Sequence, residues 1–420
     1  MLSKLYSLKD YASVALHYTA VGALAAGAVV LGSPWALAIG AGVTMAIAPA
    51  MTKVASSFLE NELKEHPDTH SLSPNLRKTV DELSQESGLT QDRQKIFSFR
   101  PKVLANEVEF DLKGKTLKEK GKAILDIMFR MSFEAADKTP NAAASNFGQP
   151  VIIISEKLLE LLNEDEQKAV LAHEFTHAAA EHQRVSAPKG LVSMATKISN
   201  QCMIFMGYIQ TGFVGFVTGV AAGVVGAIWG RDMHPKGELV GKKPSEIDPN
   251  DLEEQREAKR LSKIFGETAM VGTLSCFNPA FLPVYAGAKS INLGLTFAEK
   301  SMSRSNEYQA DAGAVKLGAS PLALITSLRK LEALMERSKC NYFGVDKMPE
   351  KGRLTKMWND LTATHPPTEK RVTQLAKIAH KQGYDAAEID RAVNGDLKID
   401  HVDDIDREVF KAAGLFYGRG

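Results

Sequence analysis

Two histidines and a glutamate stand together in His173-Glu174-Phe175-Thr176-His177. On a helix, side chains four residues apart lie on one face about one turn apart, so the two imidazoles can converge on a single tetrahedral zinc ion. Glu174, next to the first histidine, is then placed to take a proton from water activated by that ion. Catalytic zinc takes three protein ligands and keeps one position open. The best candidate for the third is Glu307 in Ser303-Arg304-Ser305-Asn306-Glu307-Tyr308-Gln309-Ala310-Asp311. Asp311 shares a helix face with Glu307, and a carboxylate there can accept the outer N–H of a zinc-bound histidine and fix its tautomer. A third feature is Thr364-His365-Pro366-Pro367. Two prolines hold the backbone after His365, Thr368 is a candidate cap for the helix that follows, and a rigidly held histidine can donate to a developing oxyanion.

These groups need elements to carry them. Asn163 is a helix cap, with Glu164, Asp165 and Glu166 in a first turn that suits the helix dipole. The helix it starts is predicted to run through His177 to about His182, with Val170, Leu171 and Phe175 burying one side. Its charged flanks, Glu166, Lys168, Glu181 and Arg184, place it outside lipid. Before it, Leu76, Val80, Leu83 and Leu89 have helical spacing, 95–100 alternates like a strand, and 151–154 is a β-branched strand after Pro150. The run 141–145 is predicted as an extended edge segment. Helical spacing returns over 310–317, 322–337 and 369–382.

The remaining blocks read as membrane. Residues 11–52 contain no Asp, Glu, Lys or Arg, enough for two helices of about 20 residues with a turn at Gly32-Ser33-Pro34. Residues 198–230 are also free of charge, with Gly215, Gly219 and Gly223 on one face, where small residues allow close helix approach in lipid. A weaker block, 268–290, is interrupted by Pro279 and Pro283 and reads as kinked or partly re-entrant. Lysines 4, 9, 53 and 64 flank the first block, which puts both its ends and the following domain in the cytoplasm by the positive-inside rule. The charged segment 231–263 falls outside if one span separates it from the metal helix, and inside if 191–230 holds a hairpin. The net charge of +1 gives no reason to expect nucleic acid. Cys202, Cys276 and Cys340 form no paired framework.

The motifs HEFTH, NEYQAD and THPPTEKR, in that order and with apolar segments before and between the first two, resemble the HtpX-like membrane zinc peptidases, relatives of the CAAX prenyl endopeptidases. The resemblance implies an α+β, mostly helical gluzincin fold with about four transmembrane helices. It implies one zinc ion on His173, His177 and Glu307, Glu174 as catalytic base, Asp311 supporting a ligand, His365 near the substrate, and Asn141 opening the strand that pairs with substrate. It further implies protein or peptide substrates, membrane proteins in need of quality control among them, and a bacterial inner-membrane location with the catalytic domain facing the cytoplasm. The expected organisation is an N-terminal hairpin (1–53), two catalytic portions (54–190 and 299–382), membrane segments (191–230 and 264–298), the charged insert (231–263) and an unassigned tail (383–420). Two departures stand out: the edge run is Asn141-Ala142-Ala143-Ala144, where relatives often have Phe after Asn-Ala, and 231–263 is longer than the minimal plan. A zinc-binding scaffold or chaperone without activity is the alternative, against which the presence of Glu174 speaks.

Overall fold

The computed structural model describes residues 69–70, 72–89, 95–99, 142–146, 150–179, 211–232, 249–279, 281–343, 346 and 365–399. In chain order they form β1 (Thr69–His70), α1 (Pro74–Ser87), β2 (Lys95–Phe99), β3 (Ala142–Asn146), β4 (Pro150–Ser155), α2 (Glu156–Leu161) and α3 (Glu164–Ala179). Then follow α4 (Gly212–Asp232), α5 (Pro249–Phe277), α6 (Phe281–Lys316), α7 (Pro321–Phe343), α8 (Thr368–Lys381) and α9 (Ala386–Asn394). The N-terminal hairpin, residues 1–53, lies outside the described residues.

The sheet has the order β1-β2-β4-β3. Strands β2 and β4 are parallel, and β3 runs antiparallel to β4 with Ala142 opposite Ile154 and Ala144 opposite Ile152. The β-branched run of β4 is the buried centre, since Ile152 and Ile154 are fully covered. Helix α1 starts at Ser73, whose hydroxyl accepts from the Leu76 N–H, and ends at Gly88 in the left-handed region (φ 73°). Its Leu76, Val80 and Leu83 join the core.

Helix α3 is the axis of the domain. Asn163 Oδ1 accepts from the Glu166 N–H at 3.0 Å, and Glu166 Oε2 accepts from the Asn163 N–H at 2.9 Å, a reciprocal cap. The same Glu166 oxygen also receives Lys330 Nζ of α7 at 2.6 Å, so the start of α3 is tied to α7 by a buried ion pair. Burial of one side only was expected. Instead residues 169–176 are all buried, because the sheet, α1, α6 and α7 pack around the helix.

Helix α6 is continuous for 36 residues, about 54 Å. Its second half lies against α3, with Ala310 and Ala314 fully buried there. Gly313 is required at this crossing: a Cβ on it would sit 2.2 Å from Thr176 Cγ2. The first half of α6 belongs to a different environment. It packs on the C-terminal half of α5, and α5 packs along α4.

Among the described residues, one helix segment, Gly212–Trp229, is long and apolar enough to cross a membrane, against about four spans expected. The block 268–290, expected to be kinked or partly re-entrant, holds a reversal of the chain. Helix α5 ends at Phe277, Asn278-Pro279 turn the chain, and α6 folds back so that Glu267 meets Lys289 at 2.9 Å. Pro279 cannot continue a helix, whereas Pro283 lies in the first turn of α6, where backbone N–H groups have no helical partner.

Two other expectations need correction. Thr368 does not cap α8. Pro367 occupies that position without a side-chain bond, and the Thr368 hydroxyl is turned to Glu332. Nor is 383–420 wholly a separate tail. Helix α9 opens with an Asp385–Glu388 capping box and packs on α7, where Arg329 donates to the carbonyls of Ala392 (3.0 Å) and Gly395 (3.1 Å).

Candidate metal centre

Helix α3 sets the rings of His173 and His177 edge to face, with their Nε2 atoms 3.2 Å apart. Helix α6 brings Glu307 to both: Oε2 is 3.5 Å from His173 Nε2 and Oε1 is 3.7 Å from His177 Nε2. A tetrahedral ion with ligands at 2.0–2.2 Å requires donor atoms about 3.3–3.6 Å apart. The two histidine nitrogens stand near that spacing and Glu307 turns one oxygen to each, so that one ligand atom from each of the three lies within 4.8 Å of the others; they are the group of described residues able to hold a metal ion. Charge agrees with geometry. Glu174, Glu307 and Asp311 are buried, and among the described residues the one buried Lys or Arg beside them is Arg371. With neutral histidines this leaves two uncompensated negative charges, which a divalent cation would cancel.

Asp311 Oδ1 lies 3.0 Å from His173 Nδ1. The approach is off the N–H axis, so buried Nδ1 lacks a well-aligned hydrogen bond. The same carboxylate is gripped by Arg371, which donates from Nε to Oδ2 at 2.9 Å and from its terminal nitrogen to Oδ1 at 2.5 Å. A further guanidinium nitrogen lies 3.2 Å from Glu307 Oε2. Arg371 thus clamps the supporting carboxylate and the third candidate ligand together. Sequence reasoning missed it, although a signal existed. Arg371, Leu375 and Ala379 recur every four residues on the buried face of α8, and a charge on such a stripe needs a buried partner.

The electrostatics follow from this packing. Burial opposes charge on His173, but Asp311 and Glu307 outweigh it and push its pKa up to about 9 in the metal-free site. Burial likewise works against the charge of Glu307, yet His173, His365 and Arg371 hold its carboxyl far below the usual range. Asp311 is also lowered, burial being overcome by Arg371 and His173. Glu174 moves the other way. Burial raises its carboxyl, with His173, the Ala144 backbone N–H and Arg371 only partly offsetting that.

The remaining expected residues fall at the edge of the site. His365 is exposed, with Nδ1 3.0 Å from Glu307 Oε1, and so stands at the open side of an otherwise buried cluster. Strand β3 ends the sheet beside α3, and its Ala144 backbone N–H turns to Glu174. Asn141 lies outside the described residues.

The sequence matches the profile of Peptidase family M48 over residues 116–243 and 265–379, more than half of the chain and inclusive of every residue of the cluster. The chain belongs to peptidase family M48. The M48 match is interrupted between 243 and 265, within the charged insert. Among curated M48-like relatives, a protein named "Protease HtpX homolog" from Lactobacillus helveticus is 24% identical over 244 residues, 58% of this chain and 65% of its own length. One of the same name from Aquifex aeolicus is 24% identical over 256 residues, 59% and 65% of the two chains. One from Limosilactobacillus reuteri is 35% identical over 91 residues, 20% and 30% of the two chains. The chain thus spans about 65% of the length of the first two relatives. No solved structure matches it significantly.

Proposed function

We propose that this protein is a membrane-bound, zinc-dependent endopeptidase that hydrolyses peptide bonds of misfolded or membrane proteins on the cytoplasmic side of a bacterial inner membrane. The observation that carries the reading is the convergence of His173, His177 and Glu307 within 4.8 Å of one another, with Glu174 on the same helix as the histidines. Zinc fits this nitrogen-and-carboxylate set, and when bound it supplies Lewis acidity that brings the pKa of water in an open position toward about 7.

The chain's own groups divide the rest of the work. Glu174, whose carboxyl is raised by burial, takes the proton of the attacking water and delivers it to the departing amine. Asp311, clamped by Arg371, orients His173 from its Nδ1 side. Arg371 also fixes the rotamer of Glu307. His365, exposed and within reach of the cluster, is positioned to donate to the oxyanion once substrate draws it away from Glu307. Among the described residues β3 is the last strand of the sheet, so an extended peptide laid along it would pass beside Glu174, and the small Ala142 and Ala144 leave room for substrate side chains.

The test compares the wild type with Glu174→Gln, purified in detergent, on an unfolded membrane-protein substrate. Chelator-sensitive cleavage by the wild type alone is expected. Equal, chelator-insensitive cleavage by both would refute the assignment. Zinc bound at wild-type stoichiometry with no cleavage by either protein would favour a scaffold without activity.

A further inference from the structure

We propose that the charged insert 231–263 lies on the same side of the membrane as the metal centre, so that the chain between α3 and Glu307 enters the bilayer as two hairpins. The proposal rests on the membrane reading above, and it goes beyond that reading in assigning a side to a segment whose flanking spans leave it open.

The register of three helices carries the argument. Helices α4 and α5 are antiparallel and in close contact along their whole apolar length. Cβ atoms built on α4 would meet Phe277 from Gly215, Leu274 from Gly219, Met270 from Gly223 and Ala269 from Gly226. Near the other end, Ser262 Oγ donates to the Ala227 carbonyl at 2.7 Å, and the Trp229 and Phe265 rings meet at 5.4 Å. Helix α6 is antiparallel to α5 in turn. Phe281 packs with Leu274 and Val271, and Glu267 accepts from Tyr285 (3.1 Å) and Lys289 (2.9 Å). Gly212, Phe277 and Phe281 therefore share one end of the unit.

Apart from Glu267 on α5 and Lys289 on α6, which pair with each other, the first charge met from that shared end comes at a comparable depth on each helix. It is Arg231 on α4, Lys263 on α5 and Glu299 on α6. At 1.5 Å per residue these lie about 28, 21 and 27 Å from Gly212, Phe277 and Phe281; α4 and α6 come near the roughly 30 Å of a hydrocarbon core, and α5 reaches about two-thirds of it. Phe213, Val217, Val220, Val224 and Ile228 of α4 and Leu282 and Leu293 of α6 face outward between these levels. Within the slab the ionisable side chains of α4–α6 are Glu267, Tyr285 and Lys289, bonded to one another as lipid would require. Trp229 and Phe265 sit at the polar boundary, where aromatic rings anchor membrane proteins.

Helix α6 then fixes which side this is. It runs unbroken past Glu299 to Glu307, about 12 Å beyond the boundary, and Glu307 belongs to the metal centre. The charged end of α5 projects past the same boundary in the same direction. A single crossing between the metal helix and the insert would place the insert opposite Glu307, at the end where all three helices are apolar. Gly212, the start of α4, lies instead at that apolar end, opposite Glu307.

The experiment uses the full chain with Cys202, Cys276 and Cys340 replaced by serine, in sealed membrane vesicles of known orientation. Single variants Ser245→Cys in the insert, Ala387→Cys on α9 and Asn278→Cys at the apolar turn are exposed to a membrane-impermeant maleimide. Labelling of positions 245 and 387 from one common side, and loss of labelling at 278 from that side, is the expected result. Labelling of 245 and 387 from opposite sides, in protein that resists alkaline carbonate extraction, overturns the proposal and leaves the membrane reading standing. Release of the protein by carbonate overturns both. Zinc content of each variant reports whether it is folded.

Discussion

Gly313 offers the sharpest test of how the metal centre is held. It faces Thr176 across the α3–α6 crossing, and a Cβ at 313 would lie 2.2 Å from Thr176 Cγ2 and 2.8 Å from Oγ1. Carbon–carbon contact needs about 3.5–4.0 Å, so Gly313→Ala demands roughly 1.3–1.8 Å of separation or a turn of the threonine. Thr176 is only 1% exposed and its hydroxyl donates to the Ala172 carbonyl at 2.8 Å, so it has little room to turn. The helices must therefore part. Glu307 lies six residues away on the same continuous helix, about 9 Å along its axis. Metal–ligand distances tolerate only about 0.2 Å, so a shift of even half an ångström at Glu307 detaches a donor. Overpacking of this kind costs ~1–3 kcal/mol, and ~1.4 kcal/mol felt at the ligand weakens binding about tenfold. The assay is competition of purified protein against a chromophoric zinc chelator, with thermal unfolding in the presence and absence of zinc. Thr176→Ala in the same chain removes Cγ2 and Oγ1 and leaves the next contact at 3.1 Å, so the double variant should recover most of the loss. Wild-type zinc affinity and an unchanged Tm in Gly313→Ala would refute this account of the crossing.

Other substitutions probe the supports. Arg371→Met strips Asp311 and Glu307 of their buried cation, and loss of one partner from such a group costs about 3–5 kcal/mol, read as a fall in Tm that is largest in the metal-free protein. Lys330→Met leaves the Glu166 carboxylate buried with only its cap bond and should lower Tm with zinc stoichiometry preserved, since the pair lies at the far end of α3 from His177. Removal of residues 386–420 should destabilise the catalytic unit as measured by chemical unfolding, because Arg329 loses two carbonyl partners and the core loses the cover that Ala392 supplies. Partial desolvation, aided by the charges of Glu369 and Glu336, raises the carboxyl of solvent-exposed Glu332 although Thr368 bonds to it. The charged form is therefore disfavoured on folding, so the stability this group contributes is complete below its unfolded pKa of about 4.3 and is lost as pH rises through the folded value. Glu332→Gln should accordingly raise stability by a few tenths of a kcal/mol at pH 7 and have little effect at pH 4, measured by unfolding at both.

The local parts of this protein are written in short stretches of its sequence. His173 and His177 share a face because four residues make about one helical turn. Asn163 caps α3 because its side chain can reach the orphan N–H of Glu166. The strand at 151–154 and the reversal near Pro279 follow equally from nearest neighbours, from β-branching in one case and a missing N–H in the other. Glu307 was within reach of sequence reasoning too, since two histidines require a third donor and an acidic residue with Asp311 one turn on was at hand. What no local pattern contains is which faces meet. That Arg371 would bind Asp311 and Glu307 depends on α8 packing against α6, which brings together residues 60 positions apart in the chain. That α3 would be enclosed on nearly every side, that α9 would dock on α7, and that the polar ends of α4, α5 and α6 would lie level depend on long-range packing of the same kind. Spacing along a chain governs what one helix presents, because the helix has a fixed period. Where that face finds its partner is decided by burial of apolar area and the pairing of buried charge, and those are properties of the folded whole.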